Sequence, residues 1–163
     1  ELYGDNPVAA WDIRDDGRII GVTEELSAQE IYEMGRKVEP FQIASATRMG
    51  HIHLSVSDSQ VASVFYQAVL DLSDKFTVPS ASWIASGDYH HHLAVNEWAG
   101  KHLAKREAQL PGLAYYVIQV EKKEDLVAIA ERAKEQEAPV TWLTSSELEF
   151  TDPDGIVTRV RKG

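Results

Sequence analysis

The order of predicted elements within residues 47–163 occurs twice, and this internal repeat constrains the fold more than any other feature of the sequence. In the first unit, apolar and polar residues alternate from His51 to Val56, which predicts a half-buried strand. Asp58 is placed to cap a helix, because apolar residues then recur from Val61 to Val69 at helical spacing. Three strand-like runs complete this unit, at 74–78, 81–86 and 89–96.

A polar stretch from Glu97 to Gln109 leads to a second unit with the same order of elements. Residues 113–120 predict a strand, and 123–137 predict a helix with one apolar face. Three more strands are predicted at 140–143, 148–151 and 156–160, with the turn Asp152-Pro153-Asp154-Gly155 between the last two. We therefore predict an α+β fold of paired βαβββ units, although the periodicity alone also fits a generic α+β domain.

Residues 1–46 lack the regular succession of strand and helix patterns that characterises this repeat. Turn signals are frequent there, and Ser27 with Glu30 forms a capping box that predicts a helix from Ala28 to about Lys37. We interpret residues 1–46 as the end of a preceding module plus a linker with a short helix. Residues 47–163 are then one module, made of the units 47–98 and 110–163.

Charge and composition exclude several classes of function. The net charge of −10 gives a surface that repels phosphate, so nucleic acids and anionic membranes are not expected partners. The absence of cysteine excludes disulfides, zinc–thiolate sites and cysteine nucleophiles. No apolar run approaches the roughly 18 residues needed to cross a bilayer, and no signal peptide is visible, so we expect a cytoplasmic protein.

Local strings within the chain carry further information. His51–Asp58 is followed by the pair Phe65-Tyr66, and Gly87–Leu93 is followed by Asn96-Glu97-Trp98. Upstream, the strings in order are Glu1-Leu2-Tyr3, Asp5-Asn6-Pro7, Trp11 and Gly17-Arg18-Ile19. Together with the Asp-Pro-Asp-Gly turn, these strings resemble the vicinal oxygen chelate superfamily, which includes glyoxalases and extradiol ring-cleaving dioxygenases. The resemblance is to two-module proteins similar to catechol 2,3-dioxygenase.

The resemblance implies a fold, a metal and a longer protein. The fold is a curved mixed sheet of paired βαβββ units around a cleft. Extradiol dioxygenases hold Fe(II) or Mn(II) there with two histidines and one glutamate, which leaves open positions for a catecholate and dioxygen. The resemblance also implies that this chain is the C-terminal half of its protein and that a complete first module precedes it.

Only one of the three implied metal ligands is matched in this chain. His51 matches the first ligand, but the second position falls on Tyr115 and the third on Arg159, or on Thr158 with a one-residue gap. A neutral phenol is a poor ligand for Fe(II), and a guanidinium repels a cation. We therefore expect Fe(II) or Mn(II) in the intact protein and no metal in this chain. Glu1 matches the carboxylate ligand of the upstream module and is expected to be inert here.

Four further histidines are candidate cleft residues. Strand alternation predicts that His51 and His53 share one face and that His90 and His92 share another, with His91 opposite. The resemblance places His91 nearest the acid–base histidine of extradiol enzymes. One interpretation is a substrate or metal site built from His51 or His53 plus one of the three neighbouring histidines. The interpretation that we favour is structural hydrogen bonding, either within the cleft or at the interface with the missing module. The expected cleft-lining residues are His53, His90, His92, Tyr115 and Arg159.

The resemblance favours one function and leaves two alternatives. The intact protein is expected to be an extradiol oxygenase for a small catechol-like or hydroquinone-like substrate, with this half inactive alone. The first alternative is a metal-independent small-molecule binding or resistance module, and the second is a glyoxalase-type lyase. Apolar surface left uncovered by the missing N-terminal module should favour a homodimer.

Overall fold

The computed structural model of the chain describes residues 7–21, 27–35, 40, 42–104 and 110–163. The N-terminal part contains a 3₁₀ helix (Val8–Ala10), a hairpin of β1 (Asp12–Ile13) and β2 (Ile19–Ile20), and helix α1 (Ala28–Met34). The Ser27 side chain accepts a hydrogen bond from the Glu30 backbone N–H at 3.3 Å, which confirms the predicted cap. The helix ends earlier than predicted, because Gly35 is extended at φ −61° and ψ 135°; Lys37 lies outside the described residues.

The predicted repeat of two βαβββ units is confirmed. The first unit contains β3 (Ile52–Ser55), α2 (Ser59–Leu70), β4 (Ser73–Val78), β5 (Ala81–Ala85) and β6 (Leu93–Asn96). The second contains β7 (Tyr116–Val120), α3 (Lys123–Glu135), β8 (Val140–Thr144), β9 (Glu147–Thr151) and β10 (Val157–Lys162). No helix in these described ranges is long and apolar enough to span a bilayer.

Each unit forms a mixed four-stranded sheet, and the two sheets have the same strand order. The first sheet runs β3-β6-β5-β4 and the second β7-β10-β9-β8. The first and last strands of each unit pair in parallel, while the remaining neighbours are antiparallel. The architecture is therefore the predicted α+β arrangement of open, mixed sheets.

Helices α2 and α3 pack together over the sheets and give the two units one common core. The rings of Phe65 and Tyr66 lie 6.0 and 6.4 Å from that of Phe150 in the other unit. Leu126, Ile129, Ala130 and Ala133 are buried as predicted. Val61 and Val64 are not: they are 55% and 64% exposed, because α2 turns the face of Ala62, Phe65, Tyr66 and Val69 to the core.

The predicted turn at 152–155 connects the two units. In the predicted turn at 152–155, Gly155 has φ +87° and its N–H donates to the Asp152 carbonyl at 3.0 Å. The Asp152 side chain accepts hydrogen bonds from the Tyr66 hydroxyl at 2.8 Å and from the Ile156 N–H at 2.7 Å. This carboxylate therefore joins the turn of the second unit to the helix of the first.

The predicted strand at 89–96 is wrong in its first half. β6 begins only at Leu93, whose partner in β5 is Ile84. Beyond that pair, the Ser86 N–H donates to Nδ1 of His92 at 3.3 Å instead of to a backbone carbonyl, and Gly87 turns the chain with φ +63°. Residues 87–92 are therefore irregular, and the alternation of faces that we predicted for His90, His91 and His92 does not apply to them.

Candidate functional site

Tyr115 and Arg159, at the two positions expected to carry metal ligands, contact each other, and a carboxylate pairs with the charge of Arg159. Arg159, in β10, places its guanidinium carbon 3.7 Å from the centroid of the Tyr115 ring. Its Nε donates to Glu149 Oε2 at 3.0 Å, and both charged side chains are a little more than a quarter exposed. Arg159 is thus held by an aromatic face and a carboxylate at once.

Glu149 was not identified from the sequence, although a signal for it exists. The turn at 152–155 sets the register of β9 and β10, and this register places Glu149 directly opposite Arg159. Opposite charges at facing positions of antiparallel strands attract each other. Counting outward from the turn would therefore have predicted that Arg159 has a carboxylate partner.

His51, His92 and Tyr115 line an open cleft between the first strands of the two units, β3 and β7. Apolar side chains that include Ile52 and Leu93 line the same cleft. The structure therefore brings His51 and Tyr115 to one cavity. Glu1 lies outside the described residues.

Five histidines come together beside this cleft. Each of His51, His90 and His91 offers a ring nitrogen, and these three nitrogens all lie within 4.8 Å of one another. The ring of His51 lies 4.2 Å from that of His91 and 5.3 Å from that of His53, centroid to centroid. The irregular path of residues 87–92 makes this possible, because it turns both His90 and His91 toward the end of β3.

His91 lies at the centre of this cluster and uses both ring nitrogens. Its Nδ1 lies 2.7 Å from Nδ1 of His90, and its Nε2 lies 3.0 Å from Nε2 of His53. A neutral imidazole carries one proton, so it donates at one nitrogen and accepts at the other. The three rings therefore form a hydrogen-bonded chain from His53 through His91 to His90.

The electrostatics of the cluster favour uncharged imidazoles. Burial first, and the charges of His51, His90 and the other neighbouring histidines second, lower the pKa of His91 to about 3. Burial and His90 likewise lower the pKa of His92. A neutral imidazole is the form that binds metal ions.

Aromatic rings from three parts of the chain surround the cluster. Trp11 lies 5.1 Å and Tyr89 4.2 Å from the ring of His90, and Trp98 lies 6.1 Å from that of His53. The hairpin near the N-terminus therefore contributes directly to the environment of the histidines. No local sequence pattern predicts this contact, because 79 positions separate Trp11 from His90.

The residues at the expected ligand positions do not fit an Fe(II) or Mn(II) oxygenase site. Such a site needs two imidazoles and one carboxylate with open positions. The cleft that His51 lines has the phenol of Tyr115 in its wall, and the guanidinium of Arg159 lies over that phenol and pairs with the carboxylate of Glu149. The three clustered histidines are a different donor set, because imidazoles alone suit Zn, Cu, Ni or Fe better than Mn.

Comparison with known proteins gives a consistent result. The family model described as the Glyoxalase/Bleomycin resistance protein/Dioxygenase superfamily matches residues 48–160. A catechol-2,3-dioxygenase of Bacillus subtilis is 32% identical over 136 residues, which cover 82% of this chain and 48% of that protein. The chain therefore spans about half the length of this curated relative.

Two solved structures share the fold. The glyoxylase/bleomycin resistance protein/dioxygenase domain from Frankia sp. EAN1pec has a TM-score of 0.58 and 21% identity, and covers 73% of this chain and 99% of its own. The fosfomycin resistance protein FosX from Listeria monocytogenes, complexed with Mn(II) and sulfate, has a TM-score of 0.51 and 14% identity. That match covers 74% of this chain and 92% of the FosX chain.

Proposed function

Because this chain belongs to the glyoxalase/bleomycin resistance/dioxygenase superfamily, we propose that it is the C-terminal module of a catechol 2,3-dioxygenase-like extradiol oxygenase and is catalytically incomplete on its own. The proposal that this chain is catalytically incomplete depends on the placement of Arg159 over Tyr115, with Glu149 as its ion-pair partner. The proposal of a catechol 2,3-dioxygenase-like oxygenase is supported by the sequence identity to the Bacillus subtilis catechol-2,3-dioxygenase.

The charges at Arg159 explain why the expected ligand positions of this chain should not hold the oxygenase metal. A divalent ion at the position of the third ligand would meet a fixed positive charge that a guanidinium cannot lose at physiological pH. Glu149, the carboxylate that faces Arg159 across the strand pair, already pairs with that guanidinium. A phenol at Tyr115 would have to lose its proton to bind the ion well, and its usual pKa is near 10.

We place the oxygenase metal, Fe(II) or Mn(II), in the other module of the complete protein, with Glu1 as one of its ligands. When bound, such an ion would activate dioxygen and a catechol-like or hydroquinone-like substrate together. This module would then support the first by packing. Leu113, Tyr115 and Val117 are 50%, 42% and 40% exposed, so they offer apolar surface to that module or to a second copy.

The experiment compares the complete protein with this chain. Each is loaded anaerobically with Fe(II) or Mn(II), and oxygen uptake and ring-opened product are followed with catechol and with hydroquinone. We expect one catalytic ion and ring cleavage in the complete protein, and no ring cleavage by this chain. Ring cleavage by the chain alone, or a metal-replete complete protein without any ring cleavage, would refute the proposal.

A pair of variants in the complete protein locates the metal. Glu1→Gln should remove the bound Fe(II) or Mn(II) together with activity, because it replaces a charged ligand by a neutral amide. Glu149→Gln is the matched control and should retain both. Loss of the metal in the control but not in Glu1→Gln would place the site in this module.

The apolar lining of the cleft supports a second candidate, a metal-independent binding or resistance module. His51, His92 and Tyr115 line the cleft together with apolar side chains such as Ile52, Leu72 and Leu93, a composition suited to an aromatic ligand. Titration of the metal-free chain with small aromatic compounds, followed by tryptophan fluorescence, tests this. Saturable binding that survives a chelator would support this function over the oxygenase.

A further inference from the structure

We propose that His51, His90 and His91 form a binding site for a Zn(II)-class divalent ion, with His53 as the positioning residue that orients His91. The site is separate from the oxygenase metal site discussed above, and its test does not depend on oxygenase activity. It uses three imidazoles that converge beside the cleft although they come from two separate stretches of the chain.

The distances allow one ion to reach all three rings. The three ring nitrogens lie within 4.8 Å of one another. Tetrahedral zinc–imidazole bonds of about 2.1 Å place two ligand nitrogens about 3.4 Å apart. This lies between the 2.7 Å that separates the Nδ1 atoms of His90 and His91 and the 4.8 Å limit of the set, so small ring rotations bring the set into range. His90 and His91 precede β6 and have no partner in the strand registers, although the backbone of the next residue, His92, bonds to Ile84 and Ile52.

The contact between His90 and His91 is where an ion would enter. Their Nδ1 atoms point at each other across 2.7 Å, so without an ion one proton must lie between the two lone pairs. An ion that binds both nitrogens takes the place of that proton. The displaced proton needs a position elsewhere on one of the two rings.

His53 supports the ring form of His91 that this binding requires. With Nδ1 of His91 on the ion, its proton resides on Nε2, which lies 3.0 Å from Nε2 of His53. His53 can then accept the hydrogen bond. Metal-binding histidines usually donate their second ring N–H to such a partner, which fixes the tautomer and the ring orientation.

The donor set selects the kind of ion. The group of potential ligands found among the described residues contains three histidines and no carboxylate, and the chain has no cysteine. Imidazole nitrogens suit Zn(II), Cu(II) and Ni(II), whereas Mn(II), Mg(II) and Ca(II) prefer oxygen ligands. Three histidines leave a fourth position for water or a small ligand, and His51, in the cleft wall, makes that position accessible.

Calorimetric titration of the metal-free chain with Zn(II) and, separately, with Mn(II) tests the site. We expect one Zn(II) per chain and binding at least tenfold weaker for Mn(II). Co(II) substituted for Zn(II) should give the visible absorption of a four-coordinate ion. No uptake of Zn(II), or equal affinity for Mn(II), would overturn the proposal.

Variants of single histidines identify the ligands. His90→Gln and His91→Gln keep hydrogen-bonding capacity but remove an imidazole ligand, and each should weaken Zn(II) binding at least tenfold. His102→Asn is the control, because His102 lies outside the cluster and its φ of +54° suits asparagine. Circular dichroism confirms that each variant is folded. Equal affinities in all three variants, or a loss in the control alone, would reject these ligands.

Two substitutions of His53 test whether it positions His91. His53→Leu removes the acceptor and should weaken Zn(II) binding by about 10-fold to 100-fold. His53→Gln retains an acceptor oxygen and should recover most of the affinity, which loss of packing alone would not explain. Identical affinities for His53→Leu and the unaltered chain would refute the positioning role.

Discussion

The guanidinium of Arg159 lies over the ring of Tyr115, with 3.7 Å between the guanidinium carbon and the ring centroid. The same guanidinium donates to Glu149 at 3.0 Å. The side chains of Tyr115, Arg159 and Glu149 therefore contact one another, and the charge of Arg159 is paired. In the proposed function, this arrangement replaces two metal ligands by a structural contact.

Introducing the missing ligands tests whether Tyr115 and Arg159 occupy ligand positions beside His51. The double variant Tyr115→His, Arg159→Glu supplies two imidazoles and one carboxylate in total, a set suited to Mn(II). We expect it to bind one Mn(II) per chain at concentrations where the unaltered chain binds none, as measured by electron paramagnetic resonance. Tyr115→His alone should bind much less. A folded double variant without Mn(II) uptake would show that these positions do not face one ion.

The Arg159–Glu149 pair should contribute little to stability. Both side chains are partly exposed, at 29% and 28%, so water screens their attraction. A double-mutant cycle with Arg159→Met and Glu149→Gln, followed by urea unfolding, should give a coupling free energy of up to about 1 kcal/mol. A coupling several times larger would mean that the pair is effectively buried, as it would be beneath another module.

The hydrogen bond from Tyr66 to Asp152 should contribute more, because both groups are buried. Tyr66→Phe leaves one oxygen of Asp152 without this donor, at a cost of roughly 1–3 kcal/mol in the free energy of unfolding. Burial strongly raises the pKa of the Tyr66 hydroxyl, which therefore remains a donor at every pH used. Tyr32→Phe is the control, since Tyr32 is 82% exposed, and its urea midpoint should be unchanged. Equal midpoints for the two variants would contradict the prediction.

The stability of the metal-free chain should fall as the pH is lowered through the histidine range. The pKa of His91 is lowered to about 3 in the folded chain, against about 6.5 when unfolded, so between these values the unfolded chain binds more protons. Stability from this group is therefore present above pH 6.5 and is lost as the pH falls toward 3. Thermal midpoints measured with a chelator between pH 7 and 5 should decline less for His91→Gln than for His102→Asn. Equal declines of the thermal midpoint in both variants would show that His91 does not contribute to the pH dependence of stability.

The carboxylate of Glu97, which accepts hydrogen bonds at the start of α2, should also make stability depend on pH. Backbone and side-chain hydrogen bonds from Ser59 lower the pKa of Glu97, and its Oε1 accepts from the Ser59 N–H at 2.9 Å. A lowered carboxylate pKa stabilises the fold above the unfolded value and loses this effect as the pH falls through the folded value. Glu97→Gln should have a lower thermal midpoint than the unaltered chain at pH 7. The difference between the two midpoints should be smaller near pH 3. An unchanged midpoint at pH 7 would refute the role of the charge.

The repeat, the helix caps and the turn at 152–155 could be predicted because each depends on residues close in sequence. Asp58, for example, caps α2 by accepting from the N–H groups of Gln60 and Val61 at 2.9 and 3.0 Å. The histidine cluster could not be predicted in this way. Its geometry depends on where β6 begins and on the packing of Trp11 against His90, which are tertiary contacts. Strand periodicity therefore separated His91 from His90 where the structure brings them together.

The common core of the two units has a consequence for unfolding. Each helix packs on its own sheet and also on the other helix, so a single βαβββ unit alone would leave a large apolar face in contact with water. Neither unit is therefore expected to stay folded without the other, and heat or denaturant should melt both in one cooperative transition.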